Sequence, residues 1–161
     1  MQISVLARGL LLLAVLLAGC QTTPFQRTAG FIAPDDQVAF SADQGAGTWK
    51  GRDLEVQFNY SPKQRDNFSG VVQLGSNIVY NFSSLRDFQL SVFFVDTSGK
   101  ILGNQAVVTN RGNFDPIPFR TQLIVPPNTT AIAFSYQGTA LSSGNDDGGG
   151  LTSFWHYPVH R

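Results

Sequence analysis

Hydrophobic and polar residues alternate along most of the chain from residue 49 onward. Hydrophobic residues at every second position are typical of a β-strand that buries one face and exposes the other. In the first clear segment the predicted buried face carries Leu54, Val56, Phe58 and Tyr60, and the predicted wet face carries Asp53, Glu55, Gln57 and Asn59. We therefore interpret Asp53 and Glu55 as solubilising carboxylates rather than as the carboxylate pair of a glycosidase.

The same alternation predicts strands at residues 68–74, 88–95, 101–108, 119–125, 131–136 and 151–157, with a possible edge strand at 38–40. Residues 78–82 predict an apolar connection or a short strand, and residues 110–118 predict a loop. Both faces become apolar toward the end of residues 88–95, which is typical of a central strand. Residues 96–100 predict a tight hairpin, because Gly99 accepts the positive φ that such turns require.

Turn-forming residues separate these strands, and no amphipathic helix follows the N-terminal segment. About seven or eight short strands, each followed by a turn, predict an all-β fold built as an antiparallel sandwich.

The N-terminal residues show a different pattern. Arg8 precedes an apolar run at residues 10–17, which is shorter than the about 20 residues that a membrane-spanning helix needs. A charged start, a short apolar helical core and small residues at the end predict a secretory signal peptide.

Residues 17–20, Leu-Ala-Gly-Cys, resemble the lipobox of bacterial lipoprotein precursors. The resemblance implies cleavage before Cys20, a diacylglyceryl group on its thiol, and a further acyl chain such as palmitate on the new amine. Two or more acyl chains anchor a protein stably to a membrane. Gln21, in place of the aspartate that retains lipoproteins in the inner membrane, implies an outer-membrane lipoprotein that faces the periplasm.

The predicted organisation is a signal peptide at 1–19, a lipidated N-terminus with its tether at 20–48, and a β-sandwich domain at 49–161. Residues 88–102, an alternating strand with a glycine turn and a return strand, resemble a hairpin of the immunoglobulin-like sandwiches of bacterial envelope proteins. More broadly, the chain resembles small bacterial envelope lipoproteins. These resemblances imply an immunoglobulin-like β-sandwich and bring no catalytic residues.

Composition narrows the function classes further. Loss of Arg8 with the signal peptide leaves ten basic and eleven acidic residues, without the basic stripe of a nucleic-acid-binding protein. Cys20 is the single cysteine, so a lipidated chain has no disulfide, no thiol nucleophile and no cysteine metal site. We predict no cofactor and no nucleic-acid partner.

Aromatic residues offer a candidate binding site. Trp49, Trp155 and Tyr157 could form a platform for a sugar ring or a peptidoglycan strand, because such side chains combine an apolar face with a polar edge. The alternative is that these residues close the hydrophobic core and cover its rim.

Two further candidates concern metal binding and catalysis. The loop at 144–150 contains Asp146 and Asp147, which could hold a cation or be a solvated connection. His156 and His160 have a spacing that suits metal ligation only on a helix, and Pro158 between them argues against a helix. A hydrolase that uses His156 is a third alternative, although no Gly-x-Ser-x-Gly pattern occurs. We predict no metal site and no catalytic residues.

The sequence therefore predicts a lipid-anchored envelope lipoprotein that is not an enzyme. Its expected role is a protein-binding or assembly module with a partner in the envelope, since a sheet edge can accept a strand from another protein. The alternative is a lipoprotein that binds glycan or a small ligand through its C-terminal aromatic residues.

Overall fold

The fold is known from a computed structural model, which describes residues 30–43, 45–142 and 150–160. The predicted signal peptide, Cys20, the first part of the tether and residues 144–149 of the glycine-rich loop lie outside the described residues. The described part contains one helical turn, α1 (Ser76–Val79), a 3-10 turn at Pro34–Asp36, and eleven strands. The strands are β1 (Phe31–Ile32), β2 (Val38–Ala39), β3 (Gly45–Lys50), β4 (Leu54–Tyr60), β5 (Phe68–Leu74), β6 (Phe82–Val95), β7 (Ile101–Gly112), β8 (Ile117–Thr121), β9 (Ala131–Ser142), β10 (Leu151–His156) and β11 (Val159–His160).

The strands form an antiparallel β-sandwich, as predicted. One sheet has the order β10-β9-β6-β7, with β2 also paired to β9, and the other has the order β3-β4-β5-β8. A separate two-stranded sheet joins β1 to β11. The chain crosses between the two large sheets after β2, β5, β7 and β8.

Aromatic side chains fill the space between the sheets. Phe134 of β9 lies 5.8 Å from Phe58, 6.5 Å from Phe68 and 5.6 Å from Trp49, measured between ring centroids. The four residues predicted to face the core in β4, namely Leu54, Val56, Phe58 and Tyr60, are buried there. The alternation was therefore a correct guide to the core.

Strand β6 is central, as its two apolar faces predict. It pairs with β7 on one side and β9 on the other. Val92 and Phe94 face the main core, whereas Phe93 and Val95 belong to a second apolar cluster on the outer face of the same sheet. Residues 30–32 and 157–160 cover this second cluster, and we call these two segments the terminal strap.

The folded domain begins earlier than the predicted boundary at Trp49. Ile32 is buried in the second cluster, and Val38 pairs with Ile132 of β9, which confirms the edge strand expected near residue 38. Strand β3, which begins at Gly45, also belongs to the folded domain, and it requires glycine at position 47, where a Cβ would lie 2.7 Å from the ring of Phe58. The predicted tether at 20–48 therefore overlaps the folded domain, which already includes β1, β2 and the start of β3.

Residues 76–79 form a helical turn, so the segment predicted as an apolar connection or a short strand is a connection that leads into β6. Two other segments differ from the prediction. Pro118 lies inside β8 rather than in a loop, and this is tolerated because β8 is the edge strand of its sheet, where a missing N–H costs little. The predicted strand beyond Thr121 is absent, since the side chain of Asn67 hydrogen-bonds both the N–H and the C=O of Leu123 in place of a ladder.

The hairpin at residues 96–100 is confirmed. Gly99 has a φ of +84°. The Asp96 carboxylate accepts hydrogen bonds from the backbone N–H groups of Ser98 and Lys100 and from the Ser98 hydroxyl. Local side-chain chemistry therefore fixes this turn.

Candidate functional site

Trp155 and Tyr157 lie on the outer surface of the five-stranded sheet. Along β10 the side chains alternate, so that Phe154 is buried while Trp155 is 64% exposed, and Tyr157 just beyond the strand is 52% exposed. Exposed Trp and Tyr side chains combine an apolar face with a polar edge, so these two residues are candidates for contact with another molecule.

Polar side chains form a concave surface beside these two aromatic residues. Trp155 pairs with Gln137 of β9, which pairs with Gln89 of β6, so the three residues form a row across neighbouring strands. Gln137 donates a 3.2 Å hydrogen bond to Gln89. The resulting cavity of about 490 Å³, which we call the outer trough, is lined by Gln89, Ser91, Phe93, Asn104, Ser135, Tyr136, Gln137, Trp155, His156 and Tyr157.

The terminal strap closes one end of the outer trough. The ring of Tyr157 meets Phe93 edge-on at 5.7 Å, and Phe93 is almost completely buried although it faces outward from β6. The strap therefore marks the change from the apolar outer cluster to the polar floor of the trough.

The polar surface continues away from the strap. A second depression of about 520 Å³ shares Gln89 and Gln137 with the outer trough. It extends to Asp87 of β6 and to Asn110 and Arg111 of β7. Together the two depressions form an elongated polar surface across the outer face of β9, β6 and β7.

Trp49 does not belong to this surface. It is 4% exposed and packs against Phe134, Tyr136 and His156, with ring centroids 5.6, 6.2 and 5.4 Å away. The prediction grouped Trp49 with Trp155 and Tyr157, and the structure places it in the core beneath the sheet because its position in β3 faces inward.

The sequence reading missed a buried polar cluster around Asp53. This residue is 3% exposed, which contradicts the prediction that it shares the wet face of β4 with Glu55. Its carboxylate accepts hydrogen bonds from the Tyr136 hydroxyl (2.8 Å), from Asn77 of α1 (2.8 Å) and from two nitrogens of Arg52 (3.1 Å each). The strand begins only at Leu54, so the alternation does not apply to Asp53, which lies in the turn after β3.

Glu55 behaves as predicted and lies toward solvent. It forms a 3.2 Å ion pair with Lys50 on the neighbouring strand and accepts a hydrogen bond from Gln57. Exposed pairs of this kind contribute little to stability.

The electrostatics of the Asp53 cluster favour the ionised carboxylate. Burial acts to raise the pKa of Asp53, but the hydrogen bonds from Arg52, Tyr136 and Asn77 outweigh it, so the pKa is lower than usual. Burial, followed by the hydrogen bond to Asp53, raises the pKa of the Tyr136 phenol above its ordinary value. The cluster is therefore a stable arrangement of a carboxylate and a neutral phenol, without a group poised for proton transfer near neutral pH.

Arg52 connects this cluster to the outer surface. Its guanidinium is largely exposed while it binds the buried carboxylate. A cavity of about 330 Å³ lies between Arg52, Tyr136 and the aromatic residues of the outer trough. The cluster thus holds one cationic side chain beside Trp155 and Tyr157.

His156 is held between two aromatic rings. Its ring centroid lies 5.4 Å from that of Trp49 and 5.8 Å from that of Tyr136. Its Nε2 atom is 3.5 Å from a carboxylate oxygen of Asp36 and has no hydrogen-bond partner within the described part of the chain. A hydrolase base requires a nucleophile within hydrogen-bond reach, and among the residues that the structure describes none is bonded to this nitrogen.

His156 and His160, the two histidines whose spacing was considered for metal ligation, lie in different strands. His160 lies in β11, paired with Phe31, while His156 ends β10. Across residues 30–43, 45–142 and 150–160, no group of three or more His, Cys, Asp or Glu side chains could hold a metal ion. In the same residues no helix has the length and apolar character needed to cross a membrane.

Comparison with known protein families, with curated proteins and with solved structures gives no match for this chain.

Proposed function

We propose that this protein is a lipid-anchored, non-enzymatic binding module of the bacterial envelope, and that the outer trough is its binding surface. One observation carries the proposal: Trp155 and Tyr157 stand exposed at the rim of a concave polar surface on a rigid sheet. Ligand sites are typically concave, with a few polar groups that fix the orientation of the ligand.

The position of the terminal strap agrees with membrane anchoring through Cys20. Gly30 lies against Val159 in the strap, at the closed end of the trough. Cys20 precedes Gly30 by ten positions, and ten residues reach at most about 36 Å. Lipid on Cys20 would therefore keep the trough close to the membrane surface, within reach of envelope components.

Metabolic labelling with palmitate tests the anchor. The full chain should incorporate the label and sediment with membranes, whereas the Cys20→Ser variant should do neither. A Gln21→Ala variant is the matched control, since it changes the next residue and keeps the thiol. Equal labelling of the full chain and of Cys20→Ser would exclude lipidation at Cys20.

Site-specific photo-crosslinking in intact cells tests the binding surface. A photoreactive amino acid at Gln137 should capture an envelope component, and the same amino acid at Gln57 should not. Gln57 is an exposed amide on the opposite face of the sandwich, so it controls for random capture. Equal capture at both positions, or at neither, would contradict the proposal that the trough is the binding surface.

A second candidate is an assembly module that binds a protein by strand addition. Its support is β10, which ends the strand order of its sheet and has three successive exposed residues, Leu151, Thr152 and Ser153. An unpaired strand edge can accept a strand from a partner. Capture of a protein from Thr152 but not from Gln137 would favour this candidate over the trough.

A further inference from the structure

We propose that the ligand of the outer trough is a carbohydrate chain, with one pyranose ring stacked on the indole of Trp155 and its hydroxyl groups bonded to Gln137 and Gln89. This inference rests on the proposed function, because it assigns a ligand class to the same surface. Three features of the trough support a carbohydrate ligand: the chemistry of its lining, the spacing of its side chains and the continuation of the surface beyond Gln89.

The lining has the chemistry of a polyol site. The floor is built from neutral amides and hydroxyls: Gln89, Gln137, Asn104, Ser91 and Ser135. Each glutamine amide offers two N–H donors and a carbonyl acceptor, and each serine hydroxyl both donates and accepts. Neighbouring sugar hydroxyls require this mixture of donors and acceptors, whereas a phosphate or a nucleic acid would require a basic lining.

The distribution of apolar and polar residues argues against a protein partner in the trough. Protein interfaces have an apolar centre surrounded by a polar rim. Here the order is reversed, with a polar floor and with Trp155 and Tyr157 at the edge. An aromatic ring beside hydrogen-bonding groups suits the two surfaces of a pyranose, an apolar C–H face and a polar edge.

The spacing of the side chains fits a ring next to Trp155. Neighbouring strands lie about 4.8 Å apart, so the row Trp155, Gln137, Gln89 places two amides in succession beside the indole. Ser135 and Ser91 form the next row, about 7 Å further along the strands. Tyr157 follows Trp155 by two residues, lines the same cavity and contacts Phe93 at 5.7 Å.

The second depression extends the site beyond one sugar unit. It shares Gln89 and Gln137 with the trough and continues to Asn110 of β7, with the charged residues Asp87 and Arg111 also in its lining. A ligand bound on Trp155 could therefore continue across the sheet, which favours an oligosaccharide over a monosaccharide.

The test is a binding measurement on the full lipidated chain in detergent, by calorimetry and by tryptophan fluorescence. The probes are soluble peptidoglycan glycan strands, the oligosaccharide part of lipopolysaccharide, and maltohexaose as a glycan from outside the envelope. Trp155→Ala should weaken binding by about tenfold or more, which corresponds to about 1.4 kcal/mol. Leu151→Ala is the matched control, since Leu151 is exposed on the same strand but does not line the trough.

The inference is supported if peptidoglycan strands bind and if Trp155→Ala weakens this binding while Leu151→Ala does not. This result would identify the cell wall as the source of the ligand. If the lipopolysaccharide oligosaccharide binds with the same dependence on Trp155, the inference is also supported, and the outer leaflet is then the source of the ligand. If no glycan binds while crosslinking from Gln137 still captures an envelope component, the carbohydrate inference is overturned and the binding surface stands. If crosslinking from Gln137 fails as well, the proposed function itself is wrong.

Discussion

The hydroxyl of Tyr136 donates a 2.8 Å hydrogen bond to the carboxylate of Asp53, across 83 positions of sequence. Tyr136 belongs to β9 of one sheet, and Asp53 lies in the turn that begins β4 of the other. The bond therefore links the two sheets through a buried polar contact at the end of the aromatic core. A buried carboxylate is costly unless it is fully hydrogen-bonded, so we expect this contact to be important for stability.

Replacement of Tyr136 by phenylalanine preserves the ring and removes two hydrogen bonds, the one that the hydroxyl donates to the Asp53 carboxylate and the one that it accepts from the Asp53 N–H. The buried carboxylate then keeps Arg52 and Asn77 but loses its third partner, and the free energy of unfolding should fall by about 1–3 kcal/mol. Urea unfolding followed by circular dichroism measures this change. Tyr157→Phe is the control, because its exposed hydroxyl should contribute less than about 0.5 kcal/mol, and equal effects of the two variants would contradict the assignment.

The Asp53 cluster should also make stability depend on pH in acid. The pKa of Asp53 is lowered in the folded chain, so the unfolded chain takes up the proton first as the pH falls. This contribution is present above the unfolded pKa of about 4 and is lost as the pH drops through the folded value.

The difference in stability between the wild type and Asp53→Asn should therefore be largest near pH 7 and shrink below about pH 4. Urea midpoints measured at several pH values would show this convergence. A difference that stays constant down to pH 2 would mean that Asp53 is not the ionised group that the cluster stabilises.

Gly138 of β9 allows the ring of Phe154 to lie directly against the backbone. A Cβ at this position would be 2.4 Å from the ring, so Gly138→Ala must displace Phe154 and with it β10. We expect a loss of about 1–3 kcal/mol from overpacking, measured by urea unfolding. At Gly45 the nearest atom is 4.0 Å from the added Cβ, so Gly45→Ala should be tolerated, and similar losses for both would refute the steric explanation.

The terminal strap should contribute to folding through Ile32. This residue is buried against the second apolar cluster, whereas its neighbour Phe31 is largely exposed. Ile32→Ala should cost about 2–5 kcal/mol, the range for deletion of a buried aliphatic side chain. Phe31→Ala should change the unfolding midpoint little. If Ile32→Ala were as stable as the wild type, residues 30–32 would not be part of the folded domain.

Much of the fold could be predicted because strand periodicity is a local signal. In β4 the residues from Leu54 to Tyr60 alternate strictly, and each hydrophobic residue is buried in the core. The hairpin that contains Gly99 was also predictable, since the turn depends on nearby side chains and on one positive φ.

The candidate site was predicted only in part. The structure places Trp155 and Tyr157 together on the surface, but Trp49, which the prediction grouped with them, is buried. No local pattern separates these cases, because alternation gives each strand two faces without showing which face meets the second sheet. The polar floor at Gln89 and Gln137 gave no signal at all, since these residues come together only through the pairing of β6 with β9.

The sequence by itself determined an all-β chain with defined core positions, because hydrophobic residues at every second position can bury one face only as strands. The tertiary structure decided the burial of Asp53, the place of Pro118 at a sheet edge, and the strap over Phe93. Each of these depends on contacts between residues far apart in the chain. Strand pairing and sheet packing set such contacts, and neither is encoded in the period of a single segment.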